Sequence, residues 1–208
     1  ILRQALYRCA PEVREETVAA VLALHQPATT LVFCETRREC DDLAGYLSQL
    51  GALALPLHGE MEQRDRADVL LQLLNGSASV VVATNVAARG LDIPALPLVV
   101  IAELSRTADD HLHRVGRTGR AGETGLAVSL IGRSSEERRL GAIEALLGAP
   151  IPEGPSLPRG PHRLDALAPA NRTLMILTGR RDKLRKGDVL GALVKDGGIP
   201  AEAIGRID

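Results

Sequence analysis

The sequence predicts an α/β protein, a parallel sheet with helices on both faces, followed by a partial α+β segment. Three observations carry this. Through residue 148, short apolar runs alternate with amphipathic stretches, the mark of strands joined by crossover helices. The runs lack polar alternation, as strands buried on both faces do. Six of the twelve prolines then fall between 149 and 169, which ends the pattern.

Taken in order, strands are expected at 4–8, 30–34, 52–57, 79–83, 98–102 and 125–131. Each is a β-branched or Leu-rich run. Helices are expected at 11–25, 37–50, 63–74, 109–117 and 135–147. Pro11 sits where a first helical turn tolerates proline. Thr36 with Glu39, and Ser134 with Glu137, have capping-box spacing. Asn75-Gly76 is a stop signal after Leu74, since both residues accept the left-handed conformation a helix end needs.

The prolines from Pro150 to Pro169, interspersed with Gly and Ser, predict a linker over 149–170 with extended character and no core of its own. A second unit is expected over 171–208: an apolar run at 173–177, a basic turn, a helix near 188–194, and Ile204-Gly205-Arg206-Ile207. So few residues do not bury a core alone. The chain does not start with Met and is expected to be part of something longer.

Composition narrows function. The 208 residues carry 25 Lys and Arg against 26 Asp and Glu, a formal net charge of −1, so any nucleic-acid contact must rest on local clusters. One Phe, two Tyr and no Trp leave few faces on which bases could stack, so RNA contact must lean on phosphates and sugars. Cys9, Cys34 and Cys40 are odd in number and lack metal-ligand spacing; Cys34 is expected to be a buried free thiol. His111 and His113 have no nearby Cys or third ligand, so no metal site is expected. No apolar stretch is long enough to span a bilayer, and a cytoplasmic location is the expectation.

Two segments concentrate chemistry. In His113-Arg114-Val115-Gly116-Arg117-Thr118-Gly119-Arg120, three arginines recur at spacing three, so Arg114, Arg117 and Arg120 are placed to converge on one anion. Guanidinium forks match phosphate oxygens and keep their charge. The competing reading is a solvated basic face paired with Asp109 and Asp110. In the segment 83–93, a buried strand runs into a short helix or turn bearing Thr84, Gly90 and Asp92. Thr84 offers a hydroxyl to a phosphate and Asp92 an acceptor for ribose hydroxyls; a capping Thr and a turn Asp are the competing reading.

Together these segments resemble motifs of the DEAD-box RNA helicases. HRVGRTGR is similar to motif VI and ATNVAARGLDI to motif V, while Leu31 to Arg37 resembles motif IV and His58 to Arg66 the HG…QxxR signature. All four occur in family order. The resemblance implies a second RecA-like domain over 1–148, with Arg117 and Arg120 as arginine fingers on the γ-phosphate. Gly90 and Asp92 would join them at the nucleotide, Asp92 on the ribose. Arg37, Gly59, Gln63, Arg66 and Thr84 would line an RNA-backbone track, and His113 would couple nucleotide state to the neighbouring domain. Asn85 stands where the family usually has Asp. ATP with Mg2+ is the implied cofactor, with the magnesium ligands in a first RecA-like domain, because this sequence holds no phosphate loop and no DEAD segment. The isolated segment is therefore expected not to turn over ATP.

From Arg172 to Lys186 six basic residues face one acid. The segment Thr173 to Asp208 resembles the first β-α-β part of a DbpA-type RNA-binding domain, RRM-like in fold, which implies RNA contact by Arg181, Lys183, Arg185 and Lys186. It also implies a hairpin of large-subunit ribosomal RNA as partner, and a role in assembling that subunit. A non-enzymatic RNA-binding scaffold and a DNA-directed helicase are the rival readings; the intact arginine pair opposes the first, and His113 with the basic tail opposes the second.

Overall fold

Among the described residues six strands, all parallel, form one sheet in the order β1-β6-β5-β2-β4-β3. The computed structural model describes residues 1–88, 95–119, 122, 124–169, 171–176, 182–205 and 207. The strands are β1 Leu2–Arg8, β2 Thr30–Cys34, β3 Ala54–Leu57, β4 Val80–Thr84, β5 Leu98–Ile101 and β6 Gly125–Ile131. The helices are α1 Arg14–His25, α2 Arg37–Gln49, α3 Gln63–Leu74, α4 Asn85–Ala88, α5 Ala108–Val115, α6 Ser134–Leu147 and, near the end of the chain, α7 Lys186–Gly191.

Alternate residues of each strand feed opposite faces. Val32, Val80, Val82 and Val100 pack with α1 and α2, whereas Leu31, Phe33, Val81, Val99 and Ile101 pack with α3, α4 and Val115 of α5. A third cluster joins Leu6 and Ile131 to Leu140 and Ile143 of α6. Strands β2, β4 and β5 are buried along their whole length, which explains their unbroken apolar runs.

Local signals explain several ends. Thr36 caps α2 in a reciprocal box: its hydroxyl accepts from Glu39 N, and Glu39 accepts from Thr36 N at 2.9 Å. Gly76, at φ 69°, turns the chain out of α3. Pro11 opens a 3-10 turn, Pro11–Val13, ahead of α1, so the helix expected from residue 11 starts at Arg14. The Ser134/Glu137 cap is corrected: Arg133 is the N-cap, and Glu136 accepts from its backbone N–H at 2.9 Å. Arg14 draws Glu136 inward, leaving Glu137 to pair with Arg8 at the surface.

The proline-rich segment is extended but does contribute to a core, contrary to the linker expectation. Contacts divide the chain at Arg172, into Ile1–Arg172 and Thr173–Asp208. Within the first unit, Leu6 N donates to Pro152 O and Gly154 N to Leu6 O, both at 2.9 Å, so the strap covers the outer edge of β1. Its Ile151, Leu164 and Leu167 are buried, and Leu164 N donates to Leu50 O at 2.7 Å. Prolines deny the segment its own ladder, but the apolar residues between them insert into the neighbouring domain.

In the second unit α7 starts two residues before the expected helix and continues as a π-helical turn, Ala192–Asp196. Among its described residues none is buried and none is in a strand, so the expected β-α-β pattern shows only its helix. Leu174, Met175 and Ile176 are exposed.

Candidate functional site

The strand order reverses about β2, and in such sheets ligands gather beyond the carboxyl ends near the reversal. Five predicted residues come together at that edge. Arg37 opens α2 just after β2, and Thr84 ends β4, opposite Cys34 of β2 in register. Gly59 follows β3, and Gln63 opens α3 with Arg66 one turn on. Arg37 is exposed and pairs with Glu60, which ties the start of α2 to the β3–α3 turn. Gly59 is exposed, and a Cβ there would touch nothing within 4 Å, so backbone or ligand has room to approach. Arg66 is half-buried, its Nη2 donating to Ala87 O of α4 at 3.5 Å. Beside them His58, mostly buried, lies 3.2 Å from Asp41.

The arginine-rich segment separates by depth. Thr107 caps α5 by accepting from Asp110 N at 3.1 Å. The helix ends at Val115 with Gly116 as its C-cap, and Arg117 lies in the turn that follows, its N–H donating to Arg114 O at 3.2 Å. Convergence of three arginines is corrected here. Arg114 is only 3% exposed; its Nη1 donates to Glu103 O at 2.9 Å, and its guanidinium lies 5.3 Å from the Phe33 ring. It is a core arginine that holds α5 onto the sheet. Arg117 is half-buried, and its carbonyl accepts from Leu96 N at 3.0 Å, next to the end of the 89–94 segment in the chain. His113 points to solvent. Arg120, Gly90 and Asp92, and Arg181 of the tail, lie outside the described residues.

His111, one turn before Val115, is fully buried with Nε2 at 3.1 Å from Gln4 Oε1. Burial, aided by the Arg114 charge, pushes its pKa down to about 4, so it is neutral and Nε2–H donates.

Beside this edge an ion network escaped the sequence. Arg14 donates to Glu136 through two nitrogens, at 3.1 and 2.9 Å, and to Ala102 O at 3.0 Å. Glu103 lies 3.4 Å from Arg14 and 3.3 Å from Arg133. Burial and the neighbouring Glu39 carboxyl still raise Glu103 to about 7, so desolvation and like charge outweigh the arginines. No motif spacing marks these groups. Asp110, read in the sequence only as a partner for a solvated basic face, accepts through Oδ1 from Asn85 Nδ2 at 3.0 Å.

In the tail, Lys183 (φ 65°) and Arg185 are exposed in the turn that leads into α7 and Lys186 is exposed at its first position, and Arg185 N donates to Asp188 at 2.9 Å. Among the described residues no group of three or more His, Cys, Asp or Glu side chains is arranged to hold a metal ion. Among them, too, no helix is long and apolar enough to cross a membrane.

Comparison with known proteins matches this architecture. Residues 13–122 match the helicase conserved C-terminal domain family, and residues 173–208 the DbpA RNA binding domain family. The chain is 41% identical to the ATP-dependent RNA helicase DbpA of Escherichia coli, over 99% of this chain and 44% of that protein. It is 34% identical to the protein of the same name from Bacillus subtilis, over 94% of this chain and 46% of that one. The chain thus spans about half the length of these curated relatives. Among solved structures it is similar to the E. coli DEAD-box protein SrmB bound to regulator of ribonuclease activity A, with a TM-score of 0.70 at 32% identity, covering 85% of this chain and 99% of that one. A DEAD box protein from Methanococcus jannaschii superposes with a TM-score of 0.69 at 30% identity, over 74% of this chain and 42% of that one.

Proposed function

Because this chain belongs to the helicase conserved C-terminal domain family, in its DEAD-box, DbpA-type branch, we propose that it is the second RecA-like domain of an ATP-dependent RNA helicase, with the start of its RNA-binding module. The observation that carries the reading is the gathering of Arg37, Gly59, Gln63, Arg66 and Thr84 at the carboxyl ends of adjacent strands. RNA would run along this edge by its backbone. Arg37 exchanges Glu60 for a phosphate oxygen, Thr84 offers its hydroxyl, and Gln63 sits among the amides that open α3. Few aromatic faces are needed for such a grip.

Arg117 and Arg120 serve the nucleotide. Charge spreads over the γ-phosphoryl oxygens in the transition state, and a guanidinium positioned there offsets it, an effect of about 10³–10⁵ in rate in GTPases. Gly90 and Asp92 hold the ribose side, and His113, exposed on α5, reports nucleotide state to a first RecA-like domain. Magnesium, when bound with ATP, would supply charge neutralisation, its ligands lying in that first domain. ATP and RNA then close the two domains and separate a short duplex locally. Lys183, Arg185 and Lys186, with Arg181, address the enzyme to a hairpin of large-subunit ribosomal RNA, in the cytoplasm, during assembly of that subunit. The segment alone does not turn over ATP.

The test is ATP turnover by the full-length protein, with a ribosomal hairpin RNA against poly(U) at matched salt, since phosphate contacts weaken steeply with ionic strength. Selective stimulation by the hairpin is expected, and Arg117→Ala should lower stimulated turnover by about 10³-fold. Equal stimulation by both RNAs would remove the ribosomal address. No turnover with either would favour an RNA-binding scaffold.

A further inference from the structure

We infer that the hydrogen bond from Asn85 to Asp110 is a positioning clasp that transmits RNA contact at the end of β4 to the helix that presents Arg117; the inference rests on the helicase reading above. Asn85 follows Thr84 directly and opens α4. Its Nδ2 donates to Asp110 Oδ1 at 3.0 Å, and both side chains are half-buried. A carboxylate only accepts, so the amide nitrogen must face it, and the orientation of Asn85 is settled by its partner.

The clasp lies on a continuous path. Arg66, of the RNA edge, donates to Ala87 O of α4. α4 carries Asn85, and Asn85 holds Asp110 in the first turn of α5. Along its buried side α5 is fixed by His111 on Gln4 of β1 and by Arg114 on the Glu103 carbonyl and the Phe33 ring. α5 is therefore held as one rigid piece, and it ends at the turn that sets Arg117. A shift of α4 on engaging RNA at Thr84 is passed to α5 through the amide–carboxylate bond. An acid at position 85 would break that path, because two carboxylates about 3 Å apart repel and cannot both stay ionised.

The pair makes a reciprocal test possible in the full-length protein. Asn85→Asp should lower the RNA-stimulated turnover number by about 5- to 10-fold, within the range of typical coupling between sites. It should raise the KM for RNA and leave the KM for ATP within about twofold, since Asn85 meets no nucleotide in this reading. Asp110→Asn keeps an amide-to-carbonyl bond and should be mild. The double variant, Asn85→Asp with Asp110→Asn, restores an amide–carboxylate pair with its direction reversed and should recover stimulation to within about twofold of wild type. Recovery by the double variant is the readout that a general loss of packing would not produce. If Asn85→Asp leaves stimulation unchanged, or the double variant is as impaired as Asn85→Asp, the clasp has no coupling role. A parallel fall in the RNA-free and RNA-stimulated rates, with a lowered Tm, would equally overturn coupling and leave a structural contact. Wild-type protein without RNA-stimulated turnover would instead sink the helicase reading itself, and the clasp's role with it.

Discussion

Replacing Arg14 by Met should destabilise the first unit by about 3 kcal/mol, near the lower end of the range for breaking a buried ion pair by removing one partner. Arg14 is 7% exposed and Glu136 1%, so neither charge is solvated in compensation. The substitution removes two guanidinium–carboxylate bonds and the donor to Ala102 O, and leaves Glu103 beside one arginine fewer. Glu136 retains three backbone donors, Gly132 N at 2.8 Å, Arg133 N at 2.9 Å and Leu104 N at 3.3 Å, which is why the lower figure applies. Burial by itself would raise the Glu136 carboxyl, but Arg14 and the Gly132 and Arg133 amides hold it below the usual range. A carboxylate held low stabilises the fold above its unfolded pKa, and that stability fades as pH falls through the folded value. The deficit of Arg14→Met should therefore be full at pH 7 and shrink below pH 4.5. The assay is urea unfolding followed by far-UV circular dichroism, since the chain has no Trp to report by fluorescence. Adding Glu136→Gln should recover more than 1 kcal/mol of the loss, the non-additivity expected of contacting groups. A loss under 1 kcal/mol at pH 7, or additive effects in the double variant, would refute the claim that this buried pair stabilises the first unit.

Two other predictions concern His111 and the strap. His111, with its pKa pushed down to about 4, stabilises the fold above pH 6.5 and loses that contribution as pH falls towards 4. The advantage of wild type over His111→Asn should shrink by about 2 kcal/mol between pH 7.5 and 5; a difference independent of pH would show that the imidazole is not held neutral. Glu103, raised to about 7, contributes the opposite slope between pH 4.5 and 7, so the comparison must be made between variants and not on wild type alone. For the strap, a Cβ on Gly154 would overlap the Tyr7 ring at Cζ, and Leu164 is 1% exposed. Gly154→Val should cost about 1–3 kcal/mol by overpacking and Leu164→Ala about 2–5 kcal/mol through a cavity. Unchanged unfolding midpoints for both would show that the segment is a free tether.

Much of the fold was legible because it is written locally. The runs at 30–34 and 125–131 and the helix at 63–74 agree residue for residue with β2, β6 and α3, since strand burial and helical period are set by near neighbours. The Thr36/Glu39 box and Gly76 worked for the same reason: each needs only residues within one turn. Arg37, Gly59, Gln63, Arg66 and Thr84 were marked by likeness to the family motifs, and the alternation of elements already puts those motifs at strand ends.

The rest was decided by contacts between residues far apart in the chain. Arg114 shares a motif with Arg117, yet the Phe33 ring and the Glu103 carbonyl take it into the core, and no spacing within the motif distinguishes the two. Arg14 and Glu136 are 122 positions apart, and His111 and Gln4 are 107 apart. Their charge states follow from burial among partners that only the folded sheet assembles. The α6 cap slid from Glu137 to Glu136 because Arg14 was waiting inside, and the proline-rich segment became a strap because β1 offered an unpaired edge. Local sequence sets which elements form and where chemistry collects; which charged groups face a ligand and which face the core is set by the desolvation and pairing that tertiary packing imposes.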